Sequence, residues 1–527
     1  MLRSVRVSGR RFYSLKFENE VLEFANRKAT VKSNHSWYYP PLSQLRSLEP
    51  MRIPAFRSKF DQFHWPQSKR VDEECCLEGR IHSIRKSGKG MVFMDLVQDN
   101  SKVQLVLMNK MIGCSKDEFG EYVDLFRKGD NVVAIGFPGV TNVGELSLKL
   151  TQQLKMASPI LHPLPPKLTD LEKRHHNKVV DYLVNSRSRD LIMARSMILQ
   201  TIRKFFEARD FIEVETPILS VNSNGANATP FVTHSKHIKS GDDPIPLQLR
   251  VAPELWLKRL VIGGFDKVFE VSRVFRNEGI DATHNPEFTT VEFYQSFTTL
   301  EQLMELTEGL LLEISQRMQS MDITIVRAKE LLQQSSIGFK KLEFIPEIEK
   351  ATGLPFPQEV TESSLLEYFD KISLPRPSIA SVPQLLDKLS STYLEPQCVE
   401  PTFIYHQPSQ MSPLSKATTL EYTNGSYEVS RRFELFIQGN EFVNAYEEEN
   451  SPIEQARKFA LQQQEKNIHH DEETPLPDTK YVDSMEYGLP PTGGWGMGID
   501  RLCVFLSNEQ RIEEVLTFGT LPDVVRQ

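Results

Sequence analysis

Phe275-Arg276-Asn277-Glu278-Gly279, followed by His284-Asn285-Pro286-Glu287-Phe288, is the stretch on which the reading of this chain turns. An arginine, a turn-forming tract from Gly279 to Pro286 and an aromatic precede the alternating run Thr290-Val291-Glu292-Phe293-Tyr294. The pattern reads as strand, loop, strand. Its counterpart lies far downstream, in Gly496-Met497-Gly498-Ile499-Asp500-Arg501. Glycines there are spaced for close backbone approach, and the arginine opens an apolar, helix-like run, Leu502-Cys503-Val504-Phe505-Leu506. Two arginines on separate elements suit a polyphosphate, because a guanidinium matches phosphate oxygens bidentately. An aromatic beside one of them suits a purine ring.

Upstream, residues 75 to 154 alternate in short runs. Val92, Met94 and Leu96 alternate with Phe93 and Asp95; Val103, Leu105 and Leu107 with Gln104 and Val106; Leu146, Leu148 and Leu150 close the series. Period-two patterning at this spacing predicts a small antiparallel barrel. Pro159, Pro163, Pro165 and Pro166 then mark a stiff linker over 156–170. Leu191, Arg195, Ile198, Ile202, Phe205 and Arg209 follow at helical spacing and lead into a strand, Ile212 to Thr216, ended by Pro217. Leu300 to Met318 reads as an amphipathic helix. The stretch 320–400 is of mixed helical character and carries no assigned chemistry.

The chain has 527 residues, enough for two or three domains. Its formal net charge of -8 argues against indiscriminate coating of DNA but not against a local basic patch on an RNA-binding module. No apolar run approaches the ~18 residues of a bilayer span, so no membrane insertion is expected. The five cysteines lack metal spacing and read as reduced thiols. His175-His176 and His469-His470 read as solvated surface pairs. Arg3, Arg6, Arg10 and Arg11 precede the first acid, Glu18, which is the composition of a mitochondrial transit peptide. Arg11-Phe12-Tyr13-Ser14 also resembles a matrix-protease site, giving a transit segment over 1–13 and an extension over 14–74.

The blocks around Arg276 and Arg501 resemble motifs 2 and 3 of the class II aminoacyl-tRNA synthetases. The helix, strand and proline before Pro217 resemble their dimer-forming motif 1. The runs Phe211 to Phe297 and Pro401 to Leu506 look like those of the lysyl-tRNA synthetase family, and the resemblance covers residues 75 to 515 apart from 320–400. It implies an α+β chain: an OB-fold β-barrel that binds the anticodon (75–155), then an antiparallel-sheet catalytic domain with flanking helices (171–527). It further implies a homodimer that activates L-lysine with ATP and Mg2+ and charges tRNA(Lys), here in the mitochondrial matrix.

The resemblance also places residues. Arg276 falls at the α-phosphate, Arg501 at the γ-phosphate, His284 near the β,γ-phosphates, Glu278 at the adenine amino group and Phe288 on the adenine face. Glu434 and Glu441, which flank Leu435-Phe436-Ile437 and a turn at Gly439-Asn440, match magnesium ligands. A lysine pocket needs carboxylates for ammonium groups and an aromatic wall for the stem. Glu292, Tyr294 and Glu448 match the ε-ammonium positions, Glu254 and Asn444 the α-amino end, Tyr446 the stem and the Gly225 backbone the substrate's main chain. Arg85, Phe93 and Gln104 match anticodon-reading positions; an outward phenylalanine on a strand is costly unless covered or stacked. Asn224 and Trp495 depart from the family pattern, Trp495 threatening the pocket edge. Three alternatives stay open: an asparaginyl or aspartyl enzyme, a non-catalytic synthetase-like protein that binds RNA, and a lysine ligase acting on protein.

Overall fold

The computed structural model describes residues 22–67, 69–221, 225–226, 228–319, 326–335, 338–469 and 477–526. The expected transit segment 1–13 and Asn224 lie outside these residues. The chain divides into two compact units, Met1–Pro166 and Lys167–Gln527.

The first unit is a barrel of β1 (Cys75–Ser87), β2 (Met91–Gln98), β3 (Ser101–Met108), β4 (Asn131–Val140), β5 (Leu146–Leu150) and β6 (Lys155–Ser158). The expected alternation holds: Val92, Met94, Leu96, Val103, Leu105, Leu107, Leu148 and Leu150 all point into its core. The long β1 pairs first with β4 and then with β2, so it bridges two sides of the barrel. Closure requires one parallel pairing, β3 with β5, and the barrel is therefore not wholly antiparallel. Met156 to Ser158 pair with β4, which moves the start of the proline-rich linker past Ser158. Part of the N-terminal extension completes this core. Helix Ile53–Phe60 buries Ile53, Phe56 and Phe60 in it. Arg27 donates two hydrogen bonds of 2.8 Å to the fully buried Asp130.

The second unit is built on an eight-stranded sheet. In spatial order the strands are Lys340–Glu343, Thr402–Tyr405, Arg432–Ile437, Asn440–Glu447, Thr492–Gly498, Glu287–Ser296, Lys267–Phe275 and Ile212–Glu213. Pairing is antiparallel through the centre and parallel at each edge. The expected strand at 212–216 shrinks to Ile212–Glu213, because only these residues find partners. The segment 320–400 is part of this unit: it supplies an edge strand and helices Phe344–Thr352, Glu362–Ile372 and Val382–Leu389 around their own apolar core.

The pleat sorts the central strands. Val291, Phe293, Phe433, Leu435, Val443, Ala445, Trp495 and Met497 join one hydrophobic core. Helices Ser186–Glu207, Leu300–Gln319 and Ile499–Ser507 supply its other wall, with Ile198, Ile202, Phe205, Leu303, Leu311, Ile314, Leu502 and Leu506 buried. Successive residues of a strand point to opposite faces, so the residues between these apolar ones face the other way. Trp495 therefore does not crowd the opposite face with its ring. The ring stacks on Phe293 at 5.1 Å and its Nε1 donates to Thr307 Oγ1 at 2.8 Å. His175 is likewise no surface residue: it is buried, with Nε2 3.1 Å from Glu514 Oε1.

One polar lock joins helix, strand and helix. Arg195 forms an ion pair with Asp500, and its Nη2 donates to Thr289 Oγ1 at 3.0 Å. The Thr289 backbone N–H donates to Asp500 Oδ2 at 2.8 Å. Removing one partner of such a pair strands a charge in low dielectric. Arg195→Met should destabilise this unit by about 3–5 kcal/mol, read as a fall in the urea midpoint by circular dichroism; a midpoint shift worth under ~1 kcal/mol would mean the pair is solvated and structurally idle.

Candidate active site

The sheet face turned away from the helices floors a cavity of about 660 Å³. Its floor comes from the alternate residues of four strands: Phe288, Thr290, Glu292 and Tyr294; Arg432 and Glu434; Asn444 and Tyr446; Gly494, Gly496 and Gly498. Arg276, Glu278 and His284 enter from the loop after strand Lys267–Phe275, and Arg501 from the first turn of helix Ile499–Ser507. Gly225 and Glu254 close one end. Of the expected site residues in this unit, all but Glu448 line this one cavity.

Two glycines are required. Gly225 sits at φ +107°, and a Cβ there would lie 3.0 Å from the Glu254 Cβ. That conformation is nearly closed to other residues. A Cβ on Gly494 would lie 1.9 Å from Glu448 Oε1 and 2.7 Å from Tyr294 Cε1. The glycine strand thus leaves room for the acidic and aromatic side chains of its neighbours.

The arginines of the cavity gather at one end, among acids. Arg276 lies 5.2 Å from the Phe288 ring centroid, and its Nε has no hydrogen-bond partner. Arg501 is tethered by an Nη1 bond of 2.6 Å to the Glu441 carbonyl, and its Nη2 stands 3.4 Å from His284 Nε2. His284 Nδ1 lies 3.0 Å from both Asp281 oxygens, which fixes the ring. Backbone hydrogen bonding from Thr283, aided by His284, holds the Asp281 carboxyl below the ordinary range.

Glu434 and Glu441 share the cavity because of a register irregularity. The hairpin turns at Gln438-Gly439, both at positive φ, one residue before the expected position. A shift between Leu435 and Phe436 then opposes Phe436 with Glu441. Bulges re-aim side chains in this way. Burial and the charge of Glu434 push the Glu441 carboxyl up to about 7. Asp387, from the segment to which the sequence assigned no chemistry, lines the same end.

The other end is anionic. Tyr446 Oη donates to Glu254 Oε1 at 2.6 Å, and Tyr294 Oη to Glu292 Oε2 at 3.3 Å. Burial, then the charges of Glu254 and Glu270, push Glu292 up to about 8. Glu448 departs from expectation. It is buried beneath this wall and pairs with Lys258 Nζ, so it does not face the cavity. Sequence reasoning missed Lys258, although its place four residues after Glu254 on a helix was a legible signal. It also missed Arg432, which donates to Asn444 Oδ1 at 3.0 Å and pairs with Glu434, ordering both.

The barrel carries its own polar face. Arg85 and Phe93 are cross-strand partners, as are Asp95 and Gln104. Arg85 Nη2 donates to Asp95 Oδ1 at 3.1 Å. Phe93 is half-buried. Gln104 is buried rather than open: its Nε2 donates to Glu145 Oε2 at 3.0 Å, and its Oε1 accepts from Ser147 Oγ at 3.1 Å. Any base that Gln104 reads has to compete with these partners. Gln104 and Glu145 also line a groove of about 500 Å³ with Phe63 and Trp65 of the extension.

Two family models match: tRNA synthetases class II (D, K and N) over residues 170–522, and the OB-fold nucleic acid binding domain over 75–152. The chain is 43% identical to the mitochondrial lysine–tRNA ligase of Schizosaccharomyces pombe, over 84% of this chain and 83% of that one. It is 37% identical to the mitochondrial lysine–tRNA ligase of Saccharomyces cerevisiae, over 99% and 96% of the two chains. With the lysine–tRNA ligase of Bacillus subtilis the identity is 34%, over 90% and 95%. A class II catalytic sheet that follows an OB-fold barrel in the sequence, with these likenesses over nearly the whole chain, makes it a member of the class II tRNA synthetases and, within them, of the lysine–tRNA ligases.

Proposed function

We propose that the chain activates L-lysine with ATP and passes it to tRNA(Lys) for mitochondrial translation. The observation that carries this reading is the division of charge within one cavity. Arg276, Arg501 and His284 form a polyphosphate end; Glu254, Glu292, Tyr294 and Tyr446 form an end suited to a diammonium substrate with an apolar stem. An aspartate pocket needs a cation facing the side chain, and the lysine under this wall is already held by Glu254 and Glu448.

In the first step the lysine carboxylate attacks the α-phosphorus, and pyrophosphate leaves. Charge grows on a five-coordinate phosphorus, so positioning and positive charge do most of the work. Arg276, with its unpartnered Nε, is suited to the α-phosphate and the attacking carboxylate. Arg501 and His284 take the outer phosphates, Phe288 the adenine face and Glu278 the adenine amino group. Glu434 and Glu441 fit a divalent cation, since burial and the Glu434 charge make Glu441 costly to ionise unless a cation joins them. Mg2+ bound there supplies positive charge against the triphosphate. In the second step the terminal ribose hydroxyl of tRNA attacks the lysyl carbonyl of the adenylate, the acyl–phosphate bond breaks and AMP leaves. Glu254 and Asn444 hold the α-amino end, Glu292 and Tyr294 the ε-ammonium, Tyr446 the stem and Gly225 the main chain; Glu448 acts from beneath. Arg85, Phe93 and Gln104 read the anticodon.

Pyrophosphate exchange run with each of the twenty amino acids tests the specificity; turnover driven chiefly by asparagine or aspartate would sink it. Glu292→Gln should lower kcat/KM for lysine by about 10- to 150-fold, the worth of a charge-assisted hydrogen bond. In the unaltered protein the Glu292 acid is raised to about 8, so it holds its proton below that pH. An ε-ammonium prefers the carboxylate, so kcat/KM for lysine should rise with pH up to about 8 and flatten above. A profile already flat from pH 6 would remove Glu292 from the ammonium site.

Phe93→Ala should spare lysine-dependent exchange and impair aminoacylation, because stacking on one base is worth roughly 1–3 kcal/mol. Equal loss in both assays would assign Phe93 to folding instead.

The arginine-rich, acid-free start supports mitochondrial import, as do the mitochondrial relatives. Dimerisation is supported by exposed apolar side chains, among them Met193, Ile212, Ile218, Leu219 and Val232. Protein recovered from mitochondria should begin at Ser14 and run in light scattering as a dimer of chains slightly lighter than 60.5 kDa. An intact Met1 on cytosolic protein overturns the location, and a monomer mass overturns the dimer.

A further inference from the structure

A lysine lies beneath the anionic wall. Lys258 stands one turn after Glu254 on helix Glu254–Ile262, with its side chain 0% exposed. Its Nζ donates to Glu254 Oε1 at 2.6 Å and pairs with Glu448 Oε2. The rings of Tyr294, Tyr446 and Tyr481 surround it at 5.9, 5.6 and 5.9 Å to their centroids. An ammonium so far from water persists only when paired and hydrogen-bonded. Burial works against its charge, but Glu254 and Glu448 outweigh burial and hold it above the ordinary lysine range.

The geometry at Glu254 gives this pairing a consequence. Lys258 Nζ and Tyr446 Oη both donate to the same oxygen, Oε1, each at 2.6 Å. Two donors on one oxygen fix the plane of the carboxylate. The second oxygen, Oε2, has no protein donor among the described residues, and Glu254 lines the cavity. Glu448, held by the same ammonium, does not. The internal cation thus divides the two acids: one is turned into the pocket by its second oxygen, the other is paired beneath the wall and out of reach.

We propose that Lys258 is a positioning residue for the amino-acid substrate, pinning Glu254 by one oxygen so that the other meets the α-ammonium group. It leaves the ε-ammonium to Glu292 and Tyr294, since Glu448 is already neutralised from below. The inference rests on the assignment of Glu254 to the α-amino end. It adds that this carboxylate functions only while an internal ammonium orients it.

The test is pyrophosphate exchange by the full chain with Lys258→Met, a side chain of similar length without the charge. The KM for lysine should rise about tenfold or more, the loss expected when a charge-assisted contact is misaligned. The KM for ATP and kcat should change by less than about twofold, because the polyphosphate end is untouched. Lys258→Met alone leaves two buried carboxylates unpaired, so Lys258→Met combined with Glu448→Gln carries the test wherever the single variant unfolds. The double variant should regain thermal stability and keep the raised KM for lysine. A double variant with the original KM would show that Lys258 merely neutralises Glu448, and the positioning role would be wrong. Glu254→Gln separates the two layers of the argument. An unchanged lysine KM in that protein removes Glu254 from the pocket. A raised KM there, with a normal KM in Lys258→Met, overturns only the role of Lys258.

Discussion

The pleat of the central antiparallel sheet is the constraint on which the catalytic unit depends. Strand residues alternate between faces with a period of two, and the central strands obey it together apart from the irregularity between Leu435 and Phe436. Val291 and Phe293 meet Val443, Ala445, Trp495 and Met497 on the helix side. Glu292, Tyr294, Asn444, Tyr446, Gly494 and Gly496 meet on the other. One-residue slippage in any of these strands would bury carboxylates among phenylalanines and send tryptophan into the cavity. The register that builds the hydrophobic core is therefore the same register that assembles the site.

That shared register leaves the sheet with an electrostatic problem, which the cavity solves by segregation. Carboxylates crowded in low dielectric resist ionising together. At one end Arg432 and Arg501 stand among the acids, and Arg501 is anchored through the Glu441 carbonyl. At the other end the counter-charge is internal: Lys258 offsets Glu254 and Glu448, while Glu292 is left to hold a proton until a cation arrives. A site of this kind is matched to a substrate that brings an ammonium, since that charge relieves the strain its neighbours create.

Much of this was legible in the sequence, and the reasons are physical. Strand-loop-strand around Arg276 and strand-helix around Arg501 show as changes of period, from two to 3.6. The barrel showed in the same way through Val92 to Leu107. Local patterns do not contain partners, however. Glu448 reads as a pocket residue because it matches an ε-ammonium position of the family, and only the packing of helix Glu254–Ile262 against the sheet reveals that Lys258 holds it. Gln104 read as an open face residue because its parity was right, yet Glu145 and Ser147 close over it. His175 reads as surface because no ligand cluster stands near it in sequence, whereas Glu514 reaches it from 339 positions away.

The stretch 320–400 marks the other limit. Its helices bury an apolar core of their own, and a composition of Leu, Phe and Ile at helical spacing tells only that such a core exists. Among its described residues, its tie to the site is one residue deep: Asp387, on helix Val382–Leu389, reaches the cavity beside Glu434 and Glu441. A single acid on an amphipathic helix is indistinguishable in sequence from any solvated acid. It becomes part of the site only because strands Lys340–Glu343 and Thr402–Tyr405 stitch the segment to the sheet edge next to Arg432–Ile437. What sequence hides is thus specific: side chains whose role is set by a pairing made elsewhere in the chain.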